Sequence, residues 1–181
     1  MASLFKTRES RTLAVLVGVF VLLGLLLYFV YLGQFAWNLL LLAAVVWFVL
    51  ESEKDIKRFE NAMKIGLFLM LFDFAFENSG WILGLWQTFS MYAMGVVPLQ
   101  VMGICFFGGT AWATYMPKKY NPKFSFYNNI VFGVFGALGE WLLIRQGLFA
   151  YHLWWTSILA FLSYFLTWVI LNFVRYRVFK D

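Results

Sequence analysis

The chain has 181 residues, of which 63% are hydrophobic, 22% are aromatic and only 13% are charged. A soluble domain carries roughly 25% charged residues, so this composition excludes a soluble globular core. It predicts an all-α, polytopic membrane protein in which residues 1–181 form a single transmembrane domain. The net charge is +5, but the basic residues lie in short loops and at the termini, so we expect no nucleic-acid partner.

Six apolar segments each approach the ~20 residues that a helix needs to cross ~30 Å of hydrocarbon. The first follows three basic residues, but it is longer than the apolar part of a signal peptide and no small-residue cleavage site follows it. We therefore expect it to be retained as a helix. In chain order the six predicted transmembrane helices are Leu13–Leu32, Phe35–Leu50, Ala62–Trp86, Phe89–Tyr115, Phe126–Ile144 and Tyr151–Val174.

The basic residues alternate between the connections of these helices. Thirteen of the fourteen Lys and Arg residues lie at the termini or in the second and fourth connections, and only Arg145 lies on the other side. The positive-inside rule assigns the basic side to the cytoplasm. The sequence thus predicts a multi-pass protein of the cell membrane with both termini cytoplasmic, in contact with membrane lipids and with homo-oligomer formation left open.

Three turns on the less charged side share the pattern Gly, any residue, aromatic. They are Gly33-Gln34-Phe35, Gly84-Leu85-Trp86 and Gly147-Leu148-Phe149. Glu77 stands seven residues before the second glycine, and Glu140 stands seven before the third. The pattern favours three related two-helix hairpins, the last two of which carry an acid. Coincidence is the alternative, because Gly and aromatic residues are common at membrane boundaries.

Three carboxylates, Asp73, Glu77 and Glu140, lie within apolar membrane-spanning sequence. A charge at the centre of a bilayer costs several kcal/mol, so an acid there has a function or a partner. Asp73 and Glu77 share a helix face with Gly80 and Gly84, and Glu140 shares a face with Gly133 and Gly136. Small residues are typical of close helix packing in membranes. We therefore expect the acids to point into the bundle, at least one of them holding its proton near neutral pH.

Two other interpretations of the acids remain open. The acids could be structural, held by hydrogen bonds from Asn78, Gln100 or tyrosine hydroxyls of other helices. Arg145 could also pair with Glu140, which would make that acid an anchor rather than a reactant.

A cavity beside the acids is predicted from the fourth helix. Pro98 lies within the predicted helix, where a proline frees a backbone carbonyl and kinks the chain. Gln100 follows at membrane depth. The candidate substrate-binding residues are Trp81, Trp86, Gln100 and Trp141.

Several classes of cofactor are disfavoured. Cys105 is the only cysteine and His152 the only histidine, so neither an intrachain disulfide nor a metal site of known spacing is expected. No Lys lies at mid-membrane for a Schiff base, and no nucleotide-binding loop or nucleophile motif is present. We expect no cofactor.

The segment Phe76–Leu99, FENSGWILGLWQTFSMYAMGVVPL, resembles the carotenoid-biosynthesis membrane family that includes bacterioruberin-pathway hydratases and is related to the small membrane lycopene cyclases. The family pattern is an acid, a pair of glycines before an aromatic residue, and a Gly-Val-Pro-Leu run. Glu77, Gly80, Gly84, Trp86 and the run Gly95–Leu99, with one additional Val, match it. Glu140–Trp155 echoes a second acid followed by Gly and aromatics, so the resemblance covers about forty residues.

The resemblance implies that a buried carboxylic acid protonates an isoprenoid double bond, followed by water addition or ring closure. Aromatic rings would stabilise the carbocation. The leading hypothesis is therefore an enzyme acting on an apolar lipid or isoprenoid substrate, with Glu77, Asp73 and Glu140 as catalytic residues. The alternatives are a proton- or cation-coupled transporter or channel, and a non-catalytic subunit of a membrane complex.

Overall fold

The computed structural model describes residues 7–52 and 56–179, with the side chains of the third helix described from Arg58 onward. Within these residues there are six α-helices and four short strands. The helices are α1 Arg8–Phe29, α2 Phe35–Ser52, α3 Ile56–Ile82, α4 Leu99–Tyr115, α5 Pro122–Arg145 and α6 Ser157–Phe173. A π-helical turn, Val174–Val178, continues α6. The strands are β1 Trp86–Thr88, β2 Ala93–Met94, β3 Val97–Pro98 and β4 Phe149–Tyr151.

Four of the described helices are long and apolar enough to cross a membrane, which agrees with the predicted membrane protein. They are Arg8–Phe29, Phe35–Ser52, Pro122–Arg145 and the continuous helical segment Ser157–Phe179. Of the other two, α4 has only 17 residues, and α3 includes Lys64, Asp73 and Glu77 within its 27.

The prediction that the fourth helix begins at Phe89 and is kinked at Pro98 was wrong. Residues 86–98 form β1 and the β2–β3 hairpin, in which Ala93 pairs with Pro98. Pro98 is instead the residue that precedes the first turn of α4, where its missing N–H breaks no helical hydrogen bond. Gly95, with φ of 62°, takes the left-handed conformation at the corner of the hairpin.

The helices pack in two groups. The first has α4 against both α2 and α3, and the second has α5 against α6 and α1. The contact between α3 and α4 is close because Gly66 lies directly against Thr110 and the backbone of Phe106. A side chain at Gly66 would push the two helices apart, as is typical of small residues in membrane helix pairs.

One end of the bundle, here called the basic end, is closed by buried arginines. Arg175 donates to the carbonyls of Ala113 and Pro117, at 3.0 Å each, and Arg58 donates to that of Met116. These carbonyls belong to the C-terminus of α4 and the residues just after it, where a helix leaves acceptors unpaired and favours cations. Three basic residues used for the topology prediction, Lys6, Lys54 and Lys180, lie outside the described residues.

The opposite end, here called the strand end, contains two helix termini with the same geometry. After α3, Gly84 has φ of 68°, and after α5, Gly147 has φ of 70°. In each terminus the glycine N–H donates a hydrogen bond to the carbonyl three residues earlier. The N–H of the following leucine donates to the carbonyl five residues earlier. This is a Schellman ending. Gly33, the third glycine of the predicted repeat, is also left-handed at φ 53°, but the bonds around it differ.

Strands β1 and β4 join the two Schellman endings as an antiparallel pair. Trp86 lies opposite Tyr151, Gln87 opposite Ala150, and Thr88 opposite Phe149. Beyond these, Phe89 N–H donates to Leu148 and His152 N–H donates to Leu85. If residues 84–89 and 147–152 are exchanged, the same residue pairs and hydrogen bonds are obtained. The ends of α3 and α5 are therefore related by a local pseudo-two-fold axis. The second and third turns of the predicted repeat are therefore equivalent in geometry.

Candidate functional site

Glu77, near the end of α3, accepts a hydrogen bond from the indole of Trp86 in β1. Its side chain is 8% exposed, and Trp86 Nε1 donates to its Oε2 at 2.9 Å. The Trp86 ring reaches Glu77 because it lies directly on Gly80, one turn further along α3. A side chain at Gly80 would occupy the volume of the ring, so the glycine is required for the contact between acid and indole.

Glu140 has a comparable environment in the second half of the chain. Its side chain is 7% exposed, and the Tyr151 hydroxyl donates to its Oε2 at 2.6 Å. Tyr164 of α6 brings a second hydroxyl close to the carboxyl. The Tyr164 ring lies on Gly136, which confirms the prediction that this glycine contacts another helix closely. Burial and the neighbouring Glu140 raise the pKa of the Tyr151 hydroxyl well above its usual range, so it is a neutral donor.

Asp73 lies one turn deeper than Glu77, between α3 and α4. The Cys105 thiol of α4 is beside it. The Oδ2 atom of Asp73 is buried and has no hydrogen-bond partner among the described residues. Because an unpartnered buried oxygen costs free energy, Asp73 is the least satisfied of the three acids.

The three carboxyl groups lie close enough to one another to interact electrostatically. None of them forms an ion pair with a described cation; the ion pair found in the described part of the chain joins Arg8 to Glu51 at the basic end. Nor do the described His, Cys, Asp and Glu residues form a group that could hold a metal ion. The site is therefore a cluster of buried acids whose hydrogen-bond donors are neutral.

The proposed pairing of Arg145 with Glu140 is wrong. The Arg145 guanidinium lies 4.4 Å from the centre of the Tyr28 ring and 5.5 Å from that of Trp141, on the outside of α5. Cation–π contacts of this kind satisfy the arginine without a carboxylate. Asn78 is not a partner of the acids either, since it donates to the carbonyl of Phe74 in its own helix. The sequence suggests Asn78, Gln100 and tyrosine hydroxyls as structural donors to the acids. Of these, only tyrosine hydroxyls are found next to an acid, and that acid is Glu140.

A row of aromatic rings runs along α3 towards Glu77. Phe68, Phe72 and Phe76 are stacked in sequence, with centroids 6.0 and 6.3 Å apart. Phe76 contacts Trp86 at 5.1 Å, and Trp86 contacts Trp155 at 4.4 Å. The three phenylalanines are half-buried and cover about 12 Å of helix length at 1.5 Å per residue. The acids therefore lie beside an extended aromatic surface.

Only one of the four predicted substrate-binding residues, Trp86, lies at the acids. Trp81 is 49% exposed and Trp141 is 41% exposed, since both point outward from their helices. Gln100 bonds to Asn38 at 3.2 Å rather than to Asp73, because α4 begins only one residue earlier and Gln100 remains at the strand end. Trp81 lines an open depression of about 460 Å³ and Gln100 one of about 200 Å³. Neither depression is lined by an acid.

Sequence reasoning did not identify Cys105, Tyr151 or Tyr164 as neighbours of the acids. The available signal was the repeat itself, because both acids stand seven residues before a turn glycine. An aromatic donor close after each turn could have been sought on that basis. No such signal existed for Cys105 or Tyr164, which reach the acids from other helices.

No protein-family model matches the chain, and neither a curated protein nor a solved structure is significantly similar to it. The resemblance to the carotenoid-biosynthesis membrane family therefore rests on the residues quoted above.

Proposed function

We propose that this chain is a multi-pass membrane enzyme that protonates a lipid or isoprenoid substrate with the Asp73–Glu77–Glu140 cluster. In this proposal all six helices cross the membrane and both termini lie on the cytoplasmic side. Connectivity supports six crossings, because α3 runs from the basic end to the strand end and α4 returns, packed along α2. The thirteen-to-one distribution of basic residues supports the orientation.

The observation that carries the proposal is a cluster of three carboxyl groups without a described cation. Glu77 and Glu140 are buried, and the Oδ2 atom of Asp73 is buried as well. Placing several ionised carboxylates in one apolar site is very costly, so such a cluster favours protonated acids. A protonated carboxylic acid in a dry site is a proton donor. Indole and phenol donors orient the carboxyls of Glu77 and Glu140 without neutralising them as a cation would.

The aromatic row supports an apolar and extended substrate. A polyene chain lying along Phe68, Phe72 and Phe76 would bring one of its double bonds to Glu77 and Asp73. The acid would transfer its proton to one alkene carbon, leaving a carboxylate and a carbocation at the other carbon. Ring faces stabilise such a cation, and addition of water or ring closure with loss of a proton would complete the reaction.

Deuterium transfer tests this chemistry whatever the product of the reaction is. The protein in lipid nanodiscs is incubated in D₂O with acyclic isoprenoid polyenes, and the extracted lipids are examined by mass spectrometry for carbon-bound deuterium. We expect incorporation with the wild type and a loss of at least about a hundredfold in Glu77→Gln, which keeps the shape and lacks the acidic proton. Glu60→Gln, at an exposed position of the same helix, is the matched control. Incorporation that is equal in all variants, or absent with every polyene, would refute the proposal.

One observation favours a second candidate, a proton- or cation-coupled transporter. Polar side chains are also buried nearer the basic end, where Tyr115 donates to Asn128 and Asn172 donates to Asn129. Asn128 Nδ2 and Asn172 Oδ1 have no partner among the described residues. A transporter requires polar groups towards both faces. Proton flux into dye-loaded proteoliposomes that is lost in Glu77→Gln, without deuterium transfer to any lipid, would favour this candidate.

A further inference from the structure

The pseudo-two-fold axis relates two acids whose hydrogen-bond donors differ chemically. Trp86 and Tyr151 face each other across the β1–β4 pair, so their side chains lie on the same face of the two strands. Trp86 donates to Glu77 and Tyr151 donates to Glu140. The axis relates Trp86 to Phe149 and Tyr151 to Thr88, so the two donors come from different positions of the repeat. An indole N–H can only donate a hydrogen bond, whereas a phenolic hydroxyl can donate one and accept another.

This difference determines which acid can exchange protons through its donor. A group passes a proton along a hydrogen-bonded chain only if it accepts one proton while it releases another. Trp86 has no acceptor site on its indole nitrogen, so the route from Glu77 ends there. The Tyr151 oxygen has a free acceptor site while its proton points at Glu140.

Tyr151 also connects the interior to the surface of the strand end. Its side chain is half-buried, while the carboxyl to which it donates is buried. Ser157, an exposed residue in the first turn of α6, lies on the same side of Tyr151 as the surface, without a hydrogen bond between the two side chains. The neighbouring residues His152, Leu153 and Trp154 are exposed as well. Tyr151 thus lies between the solvated strand end and the acid cluster.

We propose that Tyr151 is the residue through which the acid cluster is reloaded with protons from the strand end. In one step, the Tyr151 O–H bond breaks as its proton binds the Glu140 carboxylate. The phenolic oxygen simultaneously accepts a proton from bulk water at the strand end, where Tyr151 is half-exposed. The net change is one proton moved from water to Glu140. Glu140 is then the reservoir, and Glu77 and Asp73 are the acids that face the substrate; this division rests on the proposed function.

Infrared spectroscopy of the protein in nanodiscs tests the relay without any substrate. The carbonyl stretch of protonated carboxylic acids shifts when H₂O is replaced by D₂O, and its loss in Glu140→Gln identifies the band of that residue. We expect Tyr151→Phe to slow the exchange of this band by roughly tenfold or more, because the ring is retained and the relaying hydroxyl is removed. Tyr164, in the middle of α6, carries the other hydroxyl near Glu140. Tyr164→Phe removes that hydroxyl and should leave the rate of hydrogen–deuterium exchange at Glu140 unchanged.

The outcomes separate the two proposals. Slowed exchange in Tyr151→Phe with normal exchange in Tyr164→Phe supports the relay. Equal rates in wild type and Tyr151→Phe overturn it, and so does equal slowing in both variants, which indicates only a structural role for hydroxyls at Glu140. If no band is lost on replacing any of the three acids, the acids are ionised and the proposed function itself fails.

Discussion

The contact between Gly136 and Tyr164 allows a stability test within a single helix. A Cβ atom at Gly136 would lie 2.5, 2.7 and 2.7 Å from three atoms of the Tyr164 ring, whereas ordinary contacts are at 3.4–4 Å. The ring must therefore retreat by about 1 Å if Gly136 is changed to alanine. Gly139, three residues later in α5, has no atom within 4 Å of such a Cβ. The two glycines thus form a matched pair.

The expected magnitudes follow from two opposing effects. Overpacking costs ~1–3 kcal/mol, while alanine is better than glycine in a helix by ~1 kcal/mol. Gly136→Ala should therefore lower the free energy of unfolding by ~0–2 kcal/mol, and Gly139→Ala should raise it by ~1 kcal/mol. The difference between the variants, ~1–3 kcal/mol, isolates the overpacking because helix propensity contributes equally to both.

Reversible unfolding in mixed detergent micelles measures both variants under the same conditions. If the Tyr164 ring causes the loss of stability in Gly136→Ala, replacing that ring with Tyr164→Leu should remove most of the overpacking cost. A double-mutant cycle should then give a coupling energy of similar size. Equal stability of Gly136→Ala and Gly139→Ala, or no coupling to Tyr164, would contradict the packing described here.

Three further predictions concern orientation and the strand end. In intact cells, a membrane-impermeant thiol reagent should modify a Cys placed at Gln87 and not one at Lys119; the reverse labelling would reject the proposed topology. Gly147→Ala should lower the free energy of unfolding by about 1–2 kcal/mol because alanine is strained in the left-handed conformation, whereas Gly18→Ala, in open space, should not. Gln146→Leu should lower it by about 2–4 kcal/mol, because the buried amide of Gln146 bonds four backbone groups at the end of α1; unchanged amide hydrogen exchange at that end would contradict this.

The helices with uninterrupted apolar sequence could be predicted closely. The second was predicted as Phe35–Leu50 and is Phe35–Ser52, because hydropathy is nearly constant along it and drops at its charged end. The start of the fourth helix could not be predicted in the same way. Residues 86–98 are mostly apolar or aromatic, so their hydropathy is compatible both with a helix and with strands. Strands of two or three residues are too short to show an alternating pattern.

The inward direction of the acids could be predicted, but their partners could not. Glu77 and Glu140 share helix faces with glycines, and a face of small residues packs inward in a membrane. Tyr151 becomes a donor to Glu140 only through the turn at Gly147 and the pairing of β4 with β1. That pairing joins residues far apart in the chain, and a single sequence contains no periodic signal for it.

The pairing of β1 with β4 also sets the order in which the site can be completed during synthesis. Glu77 and its indole belong to one continuous segment and can meet as soon as Trp86 has left the ribosome. The partner strand, Phe149–Tyr151, is made only after α4 and α5. Until then β1 has an unpaired edge, which in a membrane environment leaves backbone groups unsatisfied. A chain arrested before Tyr151 would therefore contain all three acids, but Glu140 would lack its phenol donor and β1 would lack its complete partner strand.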